Sequence, residues 1–396
     1  MKIVHIEDFF HPDAGYQINI LPKYMAKMGH EVTIITSEME KVPEALTRFF
    51  GRDGIEERDL AYRSKYGVKI VRLPLKAFIS GRAVFTSALF RVIKDECPDV
   101  VYVHGNDTLT GMRYLLLRKK MGYPLVMDSH MLEMASLNKL NKVFRWVYRH
   151  FFTPMLMKDQ IPVIRTQDDP YVEKCLGIPL AQAPWISVGS DVMLFRPDAD
   201  ARKTFRRMNE IPEDAFVVIY AGKLDEAKGG MLLSKAIQKK LSSEKEIVFV
   251  IVGAAAGEYG RQVEEAFARS ENRILRFPTQ KYSDLAAFYQ AADIAVFPRQ
   301  CSLSFYDVQA CGLPVIFEDN NINIDRASHG NGLCFAQGDV ADFRGKLEWL
   351  INMPEAEYQK MRQNSIDFVT TGYSYETIAK QYTDILQKEY QRFHNR

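Results

Sequence analysis

Short runs rich in Val and Ile alternate with amphipathic helical patterns along almost the whole chain. Each run is too short for a buried helix, and parallel strands that are covered on both faces read as nearly continuous apolar segments. The pattern therefore predicts βαβ units and mostly parallel sheets, which is an α/β fold. The runs are KIVHI (2–6), EVTIIT (31–36), VKIVRLP (68–74), DVVYVH (99–104), PLVMDS (124–129), IPVIRT (161–166), FVVIYAG (216–222), EIVFVIVG (246–253), RILRF (273–277), IAVFP (294–298) and PVIFED (314–319).

The alternation starts afresh near residue 216, after a segment marked by Pro and Asp, SDVMLFRPDADA (190–201). A chain of 396 residues is long enough for two domains. We therefore predict two Rossmann-like domains with parallel sheets, which face each other across a cleft lined by the carboxyl ends of their strands. Residues 38–66 are charged and poorly periodic, and we predict an irregular surface segment there.

Composition excludes several classes of function. The 52 basic and 50 acidic residues leave a net charge of +2, which gives no electrostatic basis for non-specific nucleic-acid binding, although it leaves a local basic patch open. The five cysteines are widely spaced and form no C-x-x-C pair, so they indicate neither a zinc knuckle nor a disulfide framework. The chain has no apolar run long enough to span a membrane, and MKIVHIEDFF lacks the apolar core of a signal peptide. We expect a cytoplasmic protein.

The loop after the first strand is EDFFHPDAGYQINI. A dinucleotide site would show G-x-G-x-x-G at this place, whereas the loop has Gly15 alone. An NAD(P) oxidoreductase therefore loses its main support. A glycine just before a helix lets backbone N–H groups approach an anion at the helix N-terminus. The other interpretation is a glycine that only permits a turn.

Three segments together resemble glycosyltransferase family 4, the group 1 glycosyltransferases of the GT-B fold. MKIVHIEDFFHPDAGYQINILPKYMAKMGHEVTIITSE is similar to the family's opening, AGKLDEAKGGMLLSKAI (221–237) to its G-R-L-x-x-x-K-G segment, and DVQACGLPVI (307–316) to its A-x-A-x-G-x-P-V-I block. The resemblance implies an acceptor-binding domain over 1–195 and a nucleotide-sugar-binding domain over 196–375. It also implies that the C-terminal helix, 376–396, crosses back to the first domain.

Carried over by position, the family's phosphate-binding residues imply a donor site. Gly15 would face the donor diphosphate, and Gly222, Lys223 and Lys228 would hold its two phosphates. Lysine stands here for the family's arginine, which removes the bidentate fork but keeps the charge. The alternative is a pair of solvated lysines at the start of a helix.

The family also has two glutamates eight residues apart. Asp307 stands where the second glutamate accepts hydrogen bonds from the donor ribose, and Arg299 stands where the first is missing. Arg299 or Gln300 would contact the sugar or the phosphate. Ser302 and Ser304, with the N–H groups that open the next helix, would hold the donor sugar and one phosphate. One of these serines could instead cap that helix.

Two histidines follow predicted strands. His130 matches the family's histidine that contacts the donor sugar close to the reacting carbon, and we assign it the catalytic role. His104 competes for that role, and we assign it to the acceptor together with Tyr16, whose bulk would restrict the acceptor, and Glu133, which would support an acceptor hydroxyl. The alternative for either histidine is a structural role.

The resemblance implies retaining transfer, in which the leaving diphosphate takes the proton of the acceptor. Lysines would stabilise that leaving group in place of a metal, so we expect no cofactor and no metal requirement. The one D-x-D motif, Asp198-Ala199-Asp200, lies in the predicted linker, and we interpret it as a helix cap.

We predict transfer of a hexose-type sugar from a UDP-linked donor to a hydroxyl of a glycan or lipid-linked acceptor. One alternative is a non-catalytic partner subunit that binds a nucleotide sugar or glycan, which the missing first glutamate supports. Another is a nucleotide-sugar 2-epimerase or hydrolase of the same fold, although the sequence shows no convincing acidic set for it.

The segment NKLNKVFRWVYRHFFTPMLMKD (138–159) mixes Lys and Arg with aromatic residues and Met. A helix of this composition can lie at a membrane interface, and a peripheral membrane contact through it would imply a lipid-linked acceptor. The alternative is a half-buried helix that packs on the first sheet.

Overall fold

The structure is a computed structural model that describes residues 1–79, 81–131, 141–299, 304–320 and 326–395. The chain forms two compact units. Unit 1 consists of Met1–Val188 and Tyr375–Arg396, and unit 2 of Gly189–Ser374. The predicted boundary after residue 195 lies seven residues beyond the observed one, whereas the predicted return of 376–396 to the first domain agrees with the observed unit 1.

Unit 1 is built on a six-stranded parallel sheet. Its strands are β1 (Lys2–Ile6), β2 (Glu31–Ser37), β3 (Val68–Leu73), β6 (Val100–Val103), β7 (Leu125–Ser129) and β8 (Val163–Arg165). They lie in the order β3-β2-β1-β6-β7-β8. Apolar side chains of β1 and β6 are fully buried, which explains why both strands read as continuous apolar runs. Two further strands, β4 (Leu75–Ile79) and β5 (Arg82–Phe85), form an antiparallel hairpin that the sequence did not predict.

The helices of unit 1 before the last one are α1 (Gln17–Lys27), α2 (Glu44–Thr47), α3 (Ile55–Tyr66), α4 (Ala88–Glu96), α5 (Leu109–Met121), α6 (Asn141–Val147), α7 (Thr153–Asp159) and α8 (Tyr171–Lys174). A π-helical segment, Tyr148–Phe152, joins α6 to α7. The prediction of irregular chain over 38–66 is wrong, because α3 covers most of its second half. Helix α3 was not predicted because Tyr62 is the residue that it buries, so its sequence shows no apolar stripe.

Unit 2 repeats the same topology. Its strands are β9 (Phe216–Ala221), β10 (Ile247–Val252), β11 (Arg273–Phe277), β12 (Ile294–Phe297), β13 (Val315–Glu318) and β14 (Gly332–Phe335), in the order β11-β10-β9-β12-β13-β14. Its described helices are α9 (Ala199–Met208), α10 (Gly230–Ala236), α11 (Gly257–Ala268), α12 (Leu285–Ala291), α13 (Ser304–Ala310), α14 (Val340–Ile351) and α15 (Glu355–Phe368). The prediction of an α/β fold with two parallel sheets is confirmed.

The C-terminal helix, α16 (Tyr375–His394), belongs to unit 1. It packs on α1, where Gln17 Nε2 donates to the Tyr382 hydroxyl at 2.7 Å and the rings of Tyr24 and Tyr375 stack. Among the described helices, none has both the length and the apolar character that crossing a membrane requires.

In both sheets the strand order reverses beside the first strand of the unit, between β1 and β6 and between β9 and β12. Ligands of open α/β sheets bind at the carboxyl ends of the strands beside such a switch point. Each unit therefore has one such edge at which a ligand can bind.

Candidate active site

The switch point of unit 2 carries cationic side chains, and we call Gly222, Lys223, Lys228 and Arg299 the basic edge. Gly222 and Lys223 directly follow β9, and Arg299 lies two residues beyond β12. Lys223 is exposed, whereas Lys228 and Arg299 are partly exposed. Because β9 and β12 are neighbours, the structure brings these predicted donor residues to one edge of one sheet.

Arg299 holds the loop that carries the lysines. Its Nη1 donates to the carbonyl oxygen of Glu226 at 2.9 Å. Gly229 lies against the stem of Arg299, since a Cβ at this glycine would come within 3.0 Å of Arg299 Cγ. Gly229 also has a φ of +76°, which a side chain rarely tolerates. The loop after β9 is therefore shaped by a glycine and an arginine that the sequence places seventy residues apart.

A second close approach lies beneath the basic edge. Gly253, the residue after β10, has a φ of +141°, and a Cβ there would lie 1.8 Å from the carbonyl oxygen of Gly222. No side chain fits at that distance, so the loops after β9 and β10 pack backbone against backbone. This packing leaves Gly222 and Lys223 at the sheet edge, where backbone and ammonium groups can meet phosphate oxygens.

Asp307 lies in the helix where it was predicted, but little of its surface is exposed. It lies in α13 with 4% of its surface exposed, and its carboxylate accepts from Ser190 Oγ at 2.7 Å and from the Tyr282 hydroxyl at 3.4 Å. A residue so enclosed offers little surface to a ribose, so the predicted ribose contact does not fit this arrangement. The protein groups around Asp307 satisfy its charge instead.

The structure describes some of the remaining residues that were predicted to bind the donor between β12 and α13, but not all of them. Ser304 is partly exposed and is the first residue of α13. Gln300 and Ser302 lie outside the described residues, and so does Glu133, the predicted acceptor contact.

The switch point of unit 1 begins with the loop that follows β1. Gly15 is partly exposed, and Tyr16 has 49% of its surface exposed just before α1. The N–H group of Tyr16 donates to Asn19 Oδ1 at 3.2 Å, which ties the start of α1 to this loop. Tyr16 is therefore accessible at the edge where it was predicted to limit the acceptor.

Histidine and aspartate side chains converge beside this loop, and we call His5, His104, Asp128 and His130 the His–Asp cluster. His104 Nδ1 lies 2.9 Å and His130 Nε2 lies 3.2 Å from the same oxygen, Asp128 Oδ2. His104 Nε2 lies 3.0 Å from His5 Nδ1. Neighbouring strands β1, β6 and β7 supply these residues, so parallel pairing alone brings them together.

Asp128 is fully buried, and the groups around it keep its carboxyl group ionised. Its carboxylate also accepts from the Tyr102 hydroxyl and from the N–H group of Gly105, each at 2.7 Å. Burial alone would raise the pKa of Asp128, but the charges and hydrogen bonds of His130 and His104 outweigh burial and hold that pKa well below its ordinary value.

The two histidines have different access to solvent. The side chain of His130 is 41% exposed, whereas that of His104 is 2% exposed between His5 and Asp128. The prediction that His104 contacts the acceptor does not fit this burial, and His104 instead supports Asp128. His130, the predicted catalytic residue, presents surface to a ligand.

Two acidic residues at the same edge were not predicted. Glu7 and Asp8 directly follow β1, and burial raises the pKa of both, that of Asp8 to about 7. Asp8 is 4% exposed and accepts from the Thr110 hydroxyl at 2.8 Å, while its Oδ2 has no hydrogen-bond partner among the residues that the structure describes. Their position directly after the first strand was the signal in the sequence that could have identified them.

The donor atoms of His104, Asp128 and His130 lie within 4.8 Å of one another, so this group has the composition and spacing to hold a metal ion. Among the residues that the structure describes, these three form the group of His, Cys, Asp or Glu side chains that could hold a metal ion. The D-x-D motif has another role: Asp198 Oδ1 accepts from the N–H groups of Asp200 and Ala201 at the start of α9, as the cap interpretation predicted.

Two doubly wound units, with cations at the switch point of the second, define an architecture of the GT-B glycosyltransferase type. A glycosyltransferase from Rickettsia africae has a similar fold, with a TM-score of 0.74 at 14% identity over 98% of both chains. Anabaena HepE in complex with UDP and glucose gives a TM-score of 0.70 at 15% identity, over 98% of this chain and 100% of that one.

Family models and a curated relative lead to the same class. Residues 201–368 match the model of glycosyl transferases group 1, and residues 17–155 match that of the glycosyl transferase 4-like domain. The chain belongs to the group 1 glycosyltransferases. A D-inositol 3-phosphate glycosyltransferase from Corynebacterium jeikeium is 26% identical over 249 residues, which are 59% of this chain and 59% of the relative. The match thus spans less than two thirds of that relative's length.

Proposed function

We propose that the protein transfers a hexose-type sugar from a UDP-linked donor to a hydroxyl of a glycan or lipid-linked acceptor. The observation that carries the proposal is the basic edge, where Lys223, Lys228 and Arg299 lie at the carboxyl ends of two neighbouring strands. Such an arrangement suits a nucleotide diphosphate. The complex of HepE with UDP and glucose, a protein of similar fold, supports the choice of UDP.

In the proposed reaction the anomeric carbon keeps its configuration. The bond between that carbon and the diphosphate breaks, the acceptor oxygen bonds to the same face, and the departing diphosphate takes the acceptor's proton. Lys223 and Lys228 stabilise the charge that develops on the diphosphate. His130 contacts the donor sugar, and unit 1 orients the acceptor hydroxyl.

Calorimetric titration with UDP tests the donor site. We expect Lys228→Ala to weaken UDP binding by roughly 1–3 kcal/mol, the value for a hydrogen bond to a charged group. Lys239→Ala is the matched control, because this lysine of unit 2 pairs with Glu271 on the exposed surface. Equal affinity of Lys228→Ala and the wild type would remove the phosphate role from Lys228.

A non-catalytic partner subunit is the second candidate. Arg299 occupies the position of the family's first glutamate, and Asp307, at the position of the second, is enclosed by protein groups. The first departure alters the loop that was predicted to hold the donor sugar, and the second weakens the case for the predicted ribose contact. UDP-sugar binding without turnover, with any hydroxyl acceptor offered, would favour this candidate. Formation of an epimer without an acceptor would instead identify a 2-epimerase.

We also propose that transfer needs no metal, since cations of the chain neutralise the diphosphate. The cluster of His104, Asp128 and His130 makes this a question for experiment, because it can hold an ion. Turnover that survives dialysis against EDTA supports the proposal. Loss of turnover that is restored by Mn²⁺ or Zn²⁺, together with stoichiometric metal in the purified protein, would contradict it.

Peripheral contact with a membrane is the last part of the proposal. The segment from α6 to α7 buries Tyr148 and Leu156 but exposes Val143, Trp146 and Phe151, each by 60% or more. The segment is thus half-buried, and its outer face carries these apolar side chains beside exposed Lys142, Arg149 and Lys158. Arg149, in contrast, is engaged with the carbonyl oxygen of Lys174, so its replacement would disturb packing.

Sedimentation with anionic liposomes tests this face. We expect Trp146→Ser to reduce the bound fraction, because an interfacial tryptophan contributes both apolar area and a polar edge. Trp349→Ser is the matched control, since Trp349 is 52% exposed on unit 2. A bound fraction that is equal in both variants and the wild type would reject the contact.

A further inference from the structure

Three members of the His–Asp cluster carry the donor atoms that a transition-metal ion needs. His104 Nδ1 and His130 Nε2 lie 2.9 Å and 3.2 Å from Asp128 Oδ2, and the three atoms lie within 4.8 Å of one another. Two ligands of a tetrahedral Zn²⁺ ion, each about 2.0–2.2 Å from it, are roughly 3.3 Å apart. Both contacts of Asp128 are close to that separation. A small rotation of the His130 ring, which is 41% exposed, would therefore bring all three ligands around one ion.

The second nitrogen of each histidine has a partner outside this group. His104 Nε2 lies 3.0 Å from His5 Nδ1, and His130 Nδ1 lies 3.3 Å from Thr166 Oγ1. A neutral histidine that binds a metal through one nitrogen carries its proton on the other, and that N–H group almost always has an acceptor. An imidazole nitrogen and a hydroxyl oxygen can both accept. Each histidine thus has an acceptor at the position that ligation requires.

The carboxylate of Asp128 is held in the same way. The N–H group of Gly105 donates to Oδ1, and the Tyr102 hydroxyl donates to Oδ2, the oxygen that faces both histidines, each at 2.7 Å. Asp128 is fully buried, and Glu7 Oε2 lies 4.0 Å from His104 Nδ1, so this edge offers negative charge to a divalent cation. Because outer contacts already hold the ligands, an ion that binds here pays little to organise them.

The ligand set selects the kind of ion. Two imidazoles and one carboxylate suit Zn²⁺ and its neighbours among the transition metals, whereas Mg²⁺ prefers an octahedron of oxygen ligands. Zn²⁺ has no geometric preference of its own, so it tolerates this arrangement best. An ion can enter from solvent at the exposed side of His130, since the other two ligands are buried behind it.

We propose that His104, Asp128 and His130 form a Zn²⁺ site and that the bound ion inhibits sugar transfer. This inference rests on the proposed function, in which His130 contacts the donor sugar and no metal takes part. An ion on His130 Nε2 fixes the ring and fills the space beside it, so the donor sugar loses that contact. Zn²⁺ is therefore a reversible inhibitor of this protein and not its cofactor.

Binding of Zn²⁺ to the intact, metal-free protein tests the site without turnover. Competition with a chromophoric chelator gives the affinity, and the visible absorption of bound Co²⁺ reports the coordination number. We expect one strong site in the wild type and a loss of affinity of roughly 100-fold or more in His130→Gln, which removes a ligand. Thr166→Val, which removes an outer contact, should weaken binding by about tenfold.

Two variants serve as controls for binding elsewhere on the surface. His150 is an exposed histidine and Cys97 an exposed thiol, and both types of side chain bind Zn²⁺. We expect His150→Gln and Cys97→Ser to keep the affinity of the wild type. Absence of a strong site in the wild type, or its loss in either control, would overturn the proposal. So would equal affinity of the wild type and His130→Gln, or of the wild type and Thr166→Val where His130→Gln does not fold.

Turnover at a buffered concentration of free Zn²⁺ tests the inhibition, since the buffer prevents depletion of the ion by the diphosphate. We expect the initial rate to fall with occupancy of the site, to recover in EDTA, and to be unaffected by Mg²⁺ at the same free concentration. Thr166→Val should need about tenfold more free Zn²⁺ for half-inhibition than the wild type. Stimulation by Zn²⁺, or equal inhibition by Mg²⁺, would overturn the inhibitory role.

Failure of this inference and failure of the proposed function give different results. A wild type that transfers sugar but binds no Zn²⁺ contradicts the inference alone. A wild type that binds Zn²⁺ through His130 but neither binds UDP nor turns over a donor contradicts the proposed function and leaves the Zn²⁺ site in place, because the binding measurement needs no donor.

Discussion

The two switch points share one strand order but differ in almost every other physical respect. In unit 1, carboxylates and imidazoles are packed together, and Asp128, His104 and Asp8 are all buried. In unit 2, ammonium and guanidinium groups lie partly or fully exposed on loops that glycines hold close to the sheet. The comparison shows that topology selects where a site forms, while burial and charge at the strand ends select its chemistry.

The means of support also differ. In the cluster of unit 1, the side chains of Tyr102 and His104 contact Asp128, and the backbone N–H group of Gly105 donates to it as well. The basic edge depends more on close backbone packing, as in the approach of Gly253 to Gly222, to which the Arg299 side chain adds one hydrogen bond. We therefore expect pH to affect mainly the site of unit 1. Substitutions that add side-chain volume are expected to affect mainly the site of unit 2.

The largest effect is expected from Gly253→Ala. A Cβ would meet the carbonyl oxygen of Gly222 at 1.8 Å, and the φ of +141° disfavours any side chain. Overpacking and backbone strain together should lower the free energy of unfolding by roughly 3–5 kcal/mol. Gly257→Ala is the control, with positive φ but open space around it, and should cost about 1 kcal/mol in the same denaturant titration. An equal decrease in the free energy of unfolding in both variants would contradict the close approach of Gly253 to Gly222.

Asp8→Asn tests the acidic edge of unit 1. Burial raises the pKa of Asp8 to about 7, above its value in the unfolded chain. The wild type therefore loses stability as pH rises from the pKa of Asp8 in the unfolded chain to its pKa in the folded protein. The variant lacks this loss. Its advantage over the wild type in free energy of unfolding should grow between about pH 4 and 7 and level off at roughly 2–4 kcal/mol. A difference between the two proteins that stays flat with pH would contradict the assignment.

Arg299→Ala addresses the basic edge directly. It removes a cation and also the bond that holds the loop at Glu226, so UDP affinity should fall by roughly 1–3 kcal/mol in calorimetric titration. Arg299→Lys keeps the charge without the planar fork and should recover part of that loss. Arg261→Ala removes an exposed arginine of α11 that pairs with Glu258, and it should leave UDP affinity unchanged.

The smallest effect is expected from Ser190→Ala. Removal of the hydroxyl that donates to Asp307 should lower the free energy of unfolding by about 1 kcal/mol and leave UDP affinity intact. This outcome would support a structural Asp307. A clear loss of UDP affinity at undiminished stability would instead restore the predicted ribose contact.

Much of the fold was predictable because parallel strands covered on both faces leave a direct mark in the sequence. The predicted runs 2–6 and 273–277 coincide with β1 and β11. The hairpin of β4 and β5 and the helix α3 were missed, since Arg82 and Lys76 interrupt the first and a single buried Tyr62 gives the second no periodicity. Helix α3 buries too little apolar surface to show a pattern.

The sequence by itself determined the two α/β units and the placement of Lys223, Lys228, Arg299 and His130 after strands, because periodicity and strand ends are local properties of the chain. Only the tertiary structure decided that His104 and Asp307 are enclosed, that Glu7 and Asp8 join the edge beside His130, and that Arg299 holds the loop after β9. Burial and hydrogen-bond partners arise between segments that are distant along the chain, and these long-range contacts set the charge that each side chain carries.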